Sequence, residues 1–210
     1  MLENISIIHH SSIKFSDNIK IYFDPYEINE NNNDADIIFI THNHYDHYSE
    51  NDIKKIYNAN TKFIITKDLE KELLNLGIKK ENIIIVAPNN NYNVLDISFK
   101  TIPAYNINKP FHPKENNWVG YLINYNNFTY YIAGDTDITE DNKLIKCDVA
   151  FLPIGGKYTM NYKEAAELTN IIKPKIVVPI HYGLIIGTTE DAIEFSKLIN
   201  KDITCKILIK

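Results

Sequence analysis

The chain has 210 residues, 44% of them apolar and 23% charged, with a formal net charge of −5. That length supports one substantial core or at most two small ones, and the composition excludes wholesale disorder. No apolar run approaches the roughly 20 residues that span a bilayer, and the first ten residues lack the basic-then-apolar pattern of a signal peptide. Two cysteines, Cys147 and Cys205, are too few for a disulfide framework or a cysteine zinc site and fit a reducing cytoplasm. All 22 basic residues are lysine. Without arginine there is no bidentate clamp for phosphate or guanine, so nucleic acid is a poor first partner for an acidic chain.

Short apolar runs separated by turn residues set out the elements. Residues 5–9, 13–15 and 19–24 read as three successive strands, the third ended by Asp24-Pro25. Residues 29–33 are an asparagine-rich loop. A buried strand over 36–41 stops at a polar cluster, and 49–58 has helical spacing with Ser49 placed as N-cap. Residues 62–66 form a strand and 68–76 a helix closed by Gly77. Strands follow at 83–86 and 94–103, then a hairpin of 118–124 and 128–133 turning at 125–127. After a strand at 149–153, residues 161–173 give the clearest helix, with Ala165, Leu168, Ile171 and Ile172 on one face and Pro174 beyond its end. A strand at 176–180, a helix at 190–199 and a strand at 204–209 complete the chain. Two sheets with helices outside them make a layered α/β arrangement, expected as a single domain over 1–210.

Chemistry is concentrated in three places. Thr41-His42-Asn43-His44-Tyr45-Asp46-His47 puts three of the seven histidines and an aspartate directly after a buried strand. Imidazole nitrogen and carboxylate oxygen are ligands for zinc and similar ions. On an extended stretch His42 and His44 point the same way, while Asp46 and His47 follow a turn of the chain and can face a second ion. The second place is Gly134-Asp135-Thr136 at a strand end, where a carboxylate suits a shared metal ligand. The third is His181, just past the apolar strand Val177-Val178-Pro179-Ile180; a histidine so placed is by itself more often structural.

The order His-x-His-x-Asp-His, Gly-Asp-Thr, then a late strand ending in histidine resembles the metallo-β-lactamase superfamily. Within it the chain is similar to the ascorbate-6-phosphate lactonase-like hydrolases and N-acyl phosphatidylethanolamine phospholipase D. The matching stretches are His9-His10-Ser11-Ser12, Pro103-Ala104-Tyr105-Asn106, Trp118-Val119-Gly120, Ala133-Gly134-Asp135-Thr136 and Leu152-Pro153-Ile154-Gly155. The resemblance implies a four-layer αββα sandwich and two divalent metal ions, zinc first, with manganese or iron as alternatives. It places His42 and His44 on the first ion, Asp46, His47 and His181 on the second, and Asp135 between them. His10 would lie at the mouth of the site, near substrate or behind a ligand.

Asn106 departs from the pattern, standing where the family supplies the first ion's third histidine. An amide oxygen is a poorer zinc ligand than imidazole. Three outcomes are open: His112 replaces it as ligand or contacts substrate, the first site is weak or takes an oxygen-tolerant metal, or only the second site fills. The loop between Asn106 and His112 is the expected lid, and Lys109, Lys114 and Lys157 are the lysines placed to attract an anion. Tyr182 is a candidate substrate contact among several aromatic residues beside the motifs. The implied activity is metal-assisted hydrolysis of a small, anionic ester, lactone or phosphoester, with Asp46 as general base as well as ligand. The competing readings are a phosphodiesterase or nuclease acting on nucleic acid, and a metal-binding protein whose site has decayed at Asn106. Oligomeric state stays open, a homo-oligomer included.

Overall fold

The computed structural model describes residues 1–209. The chain forms two compact units, Leu2–Ala87 and the part from Pro88 onward together with Met1.

The N-terminal unit is a six-stranded sheet in sequence order. Strands β1 (Ile5–Ile7), β2 (Ile13–Ser16) and β3 (Lys20–Phe23) run antiparallel, and β3, β4 (Ile37–Phe39), β5 (Lys62–Thr66) and β6 (Ile83–Val86) run parallel. Parallel neighbours need crossovers, supplied by helices α1 (Glu50–Ile56) and α2 (Glu70–Asn75). Alternation divides the strand side chains: Tyr22, Ile38, Phe63 and Ile65 join Ile53, Ile56, Leu69 and Leu73 in one buried cluster. The alternate residues Phe15, Phe23 and Phe39 are also buried, with Phe23 and Phe39 stacked 4.9 Å apart. Ser49 caps α1 by accepting from the Asp52 amide, as its place in the sequence predicts. A short 3₁₀ turn at Lys67–Leu69 precedes α2, so the helix expected over 68–76 is regular only from Glu70.

The C-terminal unit is a seven-stranded sheet ordered β13-β12-β11-β10-β9-β8-β7. Strands β7 (Asn91–Val94), β8 (Ile97–Pro103), β9 (Val119–Tyr125) and β10 (Phe128–Ile132) form an antiparallel meander. Strands β10, β11 (Val149–Pro153), β12 (Ile176–Ile180) and β13 (Thr204–Cys205) are parallel, with α3 (Tyr162–Ile172) and α4 (Thr189–Leu198) in the last two crossovers. Ala165, Leu168, Ile172 and Phe195 from the helices pack with Tyr131, Leu152 and Val177 from the sheet.

Two expectations change here. The run expected as one strand over 94–103 is a hairpin, because Leu95 and Asp96 both take left-handed backbone (φ 44° and 64°) and reverse the chain. No glycine marks that turn, so alternation reads through it. The last strand covers only Thr204–Cys205 rather than 204–209.

Asn161 closes a reciprocal capping box with Glu164 at the start of α3. Replacing Asn161 with alanine should lower stability by about 1 kcal/mol, read as a lower urea midpoint at unchanged slope. Burial, with Asp148 adding to it, pushes the Cys147 thiol up to about 12. At pH 8 it is therefore protonated, and native-state alkylation of Cys147 should run at least about tenfold slower than in urea, measured by mass spectrometry.

Candidate metal centre

In the N-terminal unit the site grows from the ends of β3 and β4. Their register pairs Phe23 with Phe39, so the residues that follow, Asp24 and Ile40-Thr41-His42, emerge side by side. The Asp24 amide donates to the Phe39 carbonyl at 2.9 Å, and Asp24 takes left-handed backbone (φ 44°). That turns its buried carboxylate onto the neighbouring loop. It accepts from the Thr41 amide at 2.7 Å, from the Thr41 hydroxyl at 2.8 Å and from His47 Nδ1 at 2.7 Å.

These bonds place a proton on two Nδ1 atoms. A carboxylate only accepts, so His47 carries a proton on Nδ1, and in the neutral ring Nε2 is the lone pair. The Thr41 hydroxyl has one proton and gives it to Asp24. The His42 Nδ1 that sits 2.9 Å from that hydroxyl must therefore donate, and in the neutral ring His42 Nε2 is a second lone pair. The two rings lie 4.0 Å apart, and His44 is 4.7 Å from His42. The His44 carbonyl accepts from the amides of His47 and Tyr48, and this turn brings Asp46 and His47 back. Asp46 Oδ2 lies 3.7 Å from His47 Nε2 and 3.3 Å from His10 Nε2. His10 is buried and left-handed (φ 52°) in the turn between β1 and β2.

In the C-terminal unit the parallel strands β10, β11 and β12 end together. Asp135 follows β10 through Gly134 (φ 64°), and His181 follows β12 in left-handed backbone (φ 59°). Asp135 Oδ2 is 3.1 Å from His181 Nε2. Gly155, just past β11, makes this close approach feasible: a Cβ there would stand 2.3 Å from the His181 carbonyl oxygen. Only glycine leaves room, so the Leu-Pro-Ile-Gly stretch serves packing around His181.

Asp135 Oδ2 has a second imidazole 3.2 Å away, Nε2 of His112. His112 is 1% exposed, which rules out a surface-loop histidine. Its Nδ1 sits 3.1 Å from the Tyr158 carbonyl and 3.0 Å from Asn106 Oδ1. The Asn106 amide also donates to the His112 carbonyl at 2.8 Å, so the loop closes on itself. Asn106 thus lies behind His112, on the side away from Nε2. Lys109 pairs with Asp137 and donates to the Thr159 carbonyl at 2.7 Å, while the Ile107 amide donates to Asp137 at 3.0 Å. The expected lid is a fastened loop.

The chemistry of the donor set fits divalent cations. His47 Nε2, with its proton committed to Nδ1, faces a carboxylate oxygen, and His112 does the same at Asp135. Two acceptors face each other stably only with a proton or a metal ion between them, so these pairs are able to take up a cation. Oriented imidazoles backed by a carboxylate, hydroxyl or carbonyl are the usual support for metal ligands. In the N-terminal unit the side chains able to offer ligand atoms are His42, His44, Asp46 and His47, with His10 beside Asp46. In the C-terminal unit the side chains able to offer ligand atoms are His112, Asp135 and His181.

Tyr182 needs correction as a candidate substrate contact. Its ring belongs to the buried cluster of the C-terminal unit and its hydroxyl turns to the Ile209 carbonyl at 3.4 Å, so packing accounts for it. Lys114 and Lys157 lie over the rings of Tyr105 and Tyr158. Asp24 and Thr41 were missed. Asp24-Pro25 reads in sequence as a strand stop, and the available signal was a carboxylate at the end of an apolar strand with a histidine cluster behind the next one.

Comparisons with known proteins agree with this chemistry. A family model described as a Beta-lactamase superfamily domain matches residues 4–181. A UPF0173 metal-dependent hydrolase of Pyrococcus abyssi is 30% identical over 210 residues, covering 93% of this chain and 91% of that protein. One from Saccharolobus solfataricus is 34% identical over 181 residues, covering 83% and 78%. Among solved structures, the metallo hydrolase Igni18 of Ignicoccus hospitalis is similar in fold at 22% identity, with a TM-score of 0.76 over 97% of this chain and 93% of that one. With its mixed α/β fold of two sheets and its histidine–aspartate donor sets, the chain belongs to the UPF0173 metal-dependent hydrolases of the metallo-β-lactamase superfamily.

Proposed function

We propose that these donors hold divalent cations, two as the family resemblance implies, and that the protein hydrolyses a small anionic ester, lactone or phosphoester. The observation that carries this reading is the repeated arrangement in both units: an imidazole whose Nδ1 proton is committed elsewhere directs Nε2 at a carboxylate oxygen. His42, His44 and His112 would hold one ion and Asp46, His47 and His181 the other, with Asp135 shared. In that assignment His112 replaces the histidine that Asn106 displaces from the family pattern. Zinc suits the nitrogen-rich set, and manganese or iron are the alternatives. Cations held there supply Lewis acidity and make a bound water a nucleophile near neutral pH.

The chain's own residues do the rest. Asp46 orients the attacking water and accepts its proton. His10, beside Asp46 Oδ2, holds that carboxylate in place. Asp24 and Thr41 keep His42 and His47 in the tautomers that bind cations, and Gly155 lets His181 reach Asp135. Support for a small substrate over nucleic acid comes from the acidic, arginine-free chain.

Purified protein should carry about two equivalents of divalent metal per chain by elemental analysis and hydrolyse a generic lactone or phosphodiester. Asp46→Ala should lose activity by at least about a hundredfold and bind less metal; full activity in that variant would remove the mechanism. His112→Ala should fall to about one equivalent, and two retained equivalents would return His112 to a structural role. Asp24→Asn should weaken metal binding by roughly ten- to a hundredfold in a competition titration with a chelating dye.

A further inference from the structure

A tyrosine ring is a large apolar surface that usually buries much of its area. Tyr45 does not: it stands between His44 and Asp46 in the histidine cluster and is 64% exposed. The ring of Tyr26, itself half-buried, meets it edge to face with 6.1 Å between centroids. Two aromatic side chains therefore open to solvent in the N-terminal unit, beside residues able to bind metal.

The backbone beneath both rings is fastened. The bond from His47 Nδ1 to Asp24, 2.7 Å long, joins their two loops, with Tyr26 two places after Asp24 and Tyr45 two places before His47. The Tyr26 amide donates to Ser12 Oγ at 3.3 Å, in the turn that also carries His10. The amides of Glu27 and Ile28 each donate to Asp52 at 3.0 Å. Tyr45 lies in the turn that the His47 and Tyr48 amides close on the His44 carbonyl. Rings held on anchored backbone lose little freedom when a ligand settles against them. Burial raises the Tyr26 hydroxyl above its ordinary range, and Glu27, Tyr45, Asp46 and Asp52 add to this through charge. Tyr26 thus stands within the field of Asp46, the carboxylate assigned to the attacking water.

We propose that Tyr26 and Tyr45 form a subsite for an uncharged aromatic ring attached to the substrate's reacting acyl or phosphoryl group, an assignment that rests on the function proposed above. An aromatic ring can lie against the exposed face of one tyrosine and meet the edge of the other, a geometry that adds to simple area burial. An alkyl chain gains the area without that geometry and gives up rotamer freedom. The ring carries no negative charge of its own, because Glu27 is exposed next to Tyr26 and Asp46 lies near.

Phenylphosphonate and methylphosphonate test the subsite. They share one oxyanion, differ by the ring and have no ester bond to hydrolyse. Metal content is measured first by elemental analysis, and each metal-loaded protein is then titrated with both probes by calorimetry. Wild type should bind phenylphosphonate about fivefold or more tighter than methylphosphonate. Tyr45→Ala should bind the two alike, and Tyr26→Ala should lose roughly half of the preference. Both variants should keep the wild-type metal content and bind methylphosphonate within about twofold of wild type. Tyr45→Phe should keep the preference, because the ring and not the hydroxyl makes the contact. Equal affinity of wild type for the two probes, a full preference surviving in Tyr45→Ala, or no measurable binding of either probe by metal-loaded wild type would overturn the subsite. Wild-type protein that takes up no metal would instead overturn the metal-centre reading.

Discussion

An imidazole lone pair aimed at a carboxylate oxygen is unstable in a protein interior unless positive charge lies between the two. Each unit of this protein builds that arrangement with care. Asp24 and the Thr41 hydroxyl hold the proton positions of His47 and His42, and the Tyr158 carbonyl holds that of His112. Water could solvate such groups at a surface, but here the residues are almost wholly buried. The buried histidines and aspartates are able to bind metal, and the family to which the chain belongs is one of metal-dependent hydrolases.

The scaffold supplies the position of the donors. In both sheets the chemistry sits where parallel strands end side by side: β3 and β4 in one, β10, β11 and β12 in the other. Parallel register brings distant stretches of sequence to the same level, and left-handed residues then turn the side chains. His10, Asp24 and His181 all adopt positive φ, a conformation that costs free energy in a residue with a Cβ. Strain of this kind persists where the surrounding bonds over-determine it, as the three bonds to Asp24 do.

Much of this was legible in the sequence. The bounds of β5, β6, β11 and β12 follow directly from apolar runs with clear stops, and the His-x-His-x-Asp-His cluster announces its chemistry through composition alone. What was not legible shares a cause: it depends on contacts between residues far apart in sequence. Asp24 lies 23 residues from His47 and looks like a turn. Gly155 matters only through the carbonyl of His181. Tyr182 follows a candidate ligand in sequence, yet the chain turns at left-handed His181 and its ring lies in the core. The Leu95–Asp96 reversal escaped because neither residue advertises a left-handed turn.

The tether between Asn106 and His112 bears on how such sites are recognised at all. Because the histidine comes from a loop pinned at both ends and not from the strand itself, its place along the chain is set by where the loop is fastened. Loops of other lengths could deliver the same imidazole to the same carboxylate. A pattern search that demands histidine three places after the proline of this strand would pass over an imidazole that stands 3.2 Å from Asp135.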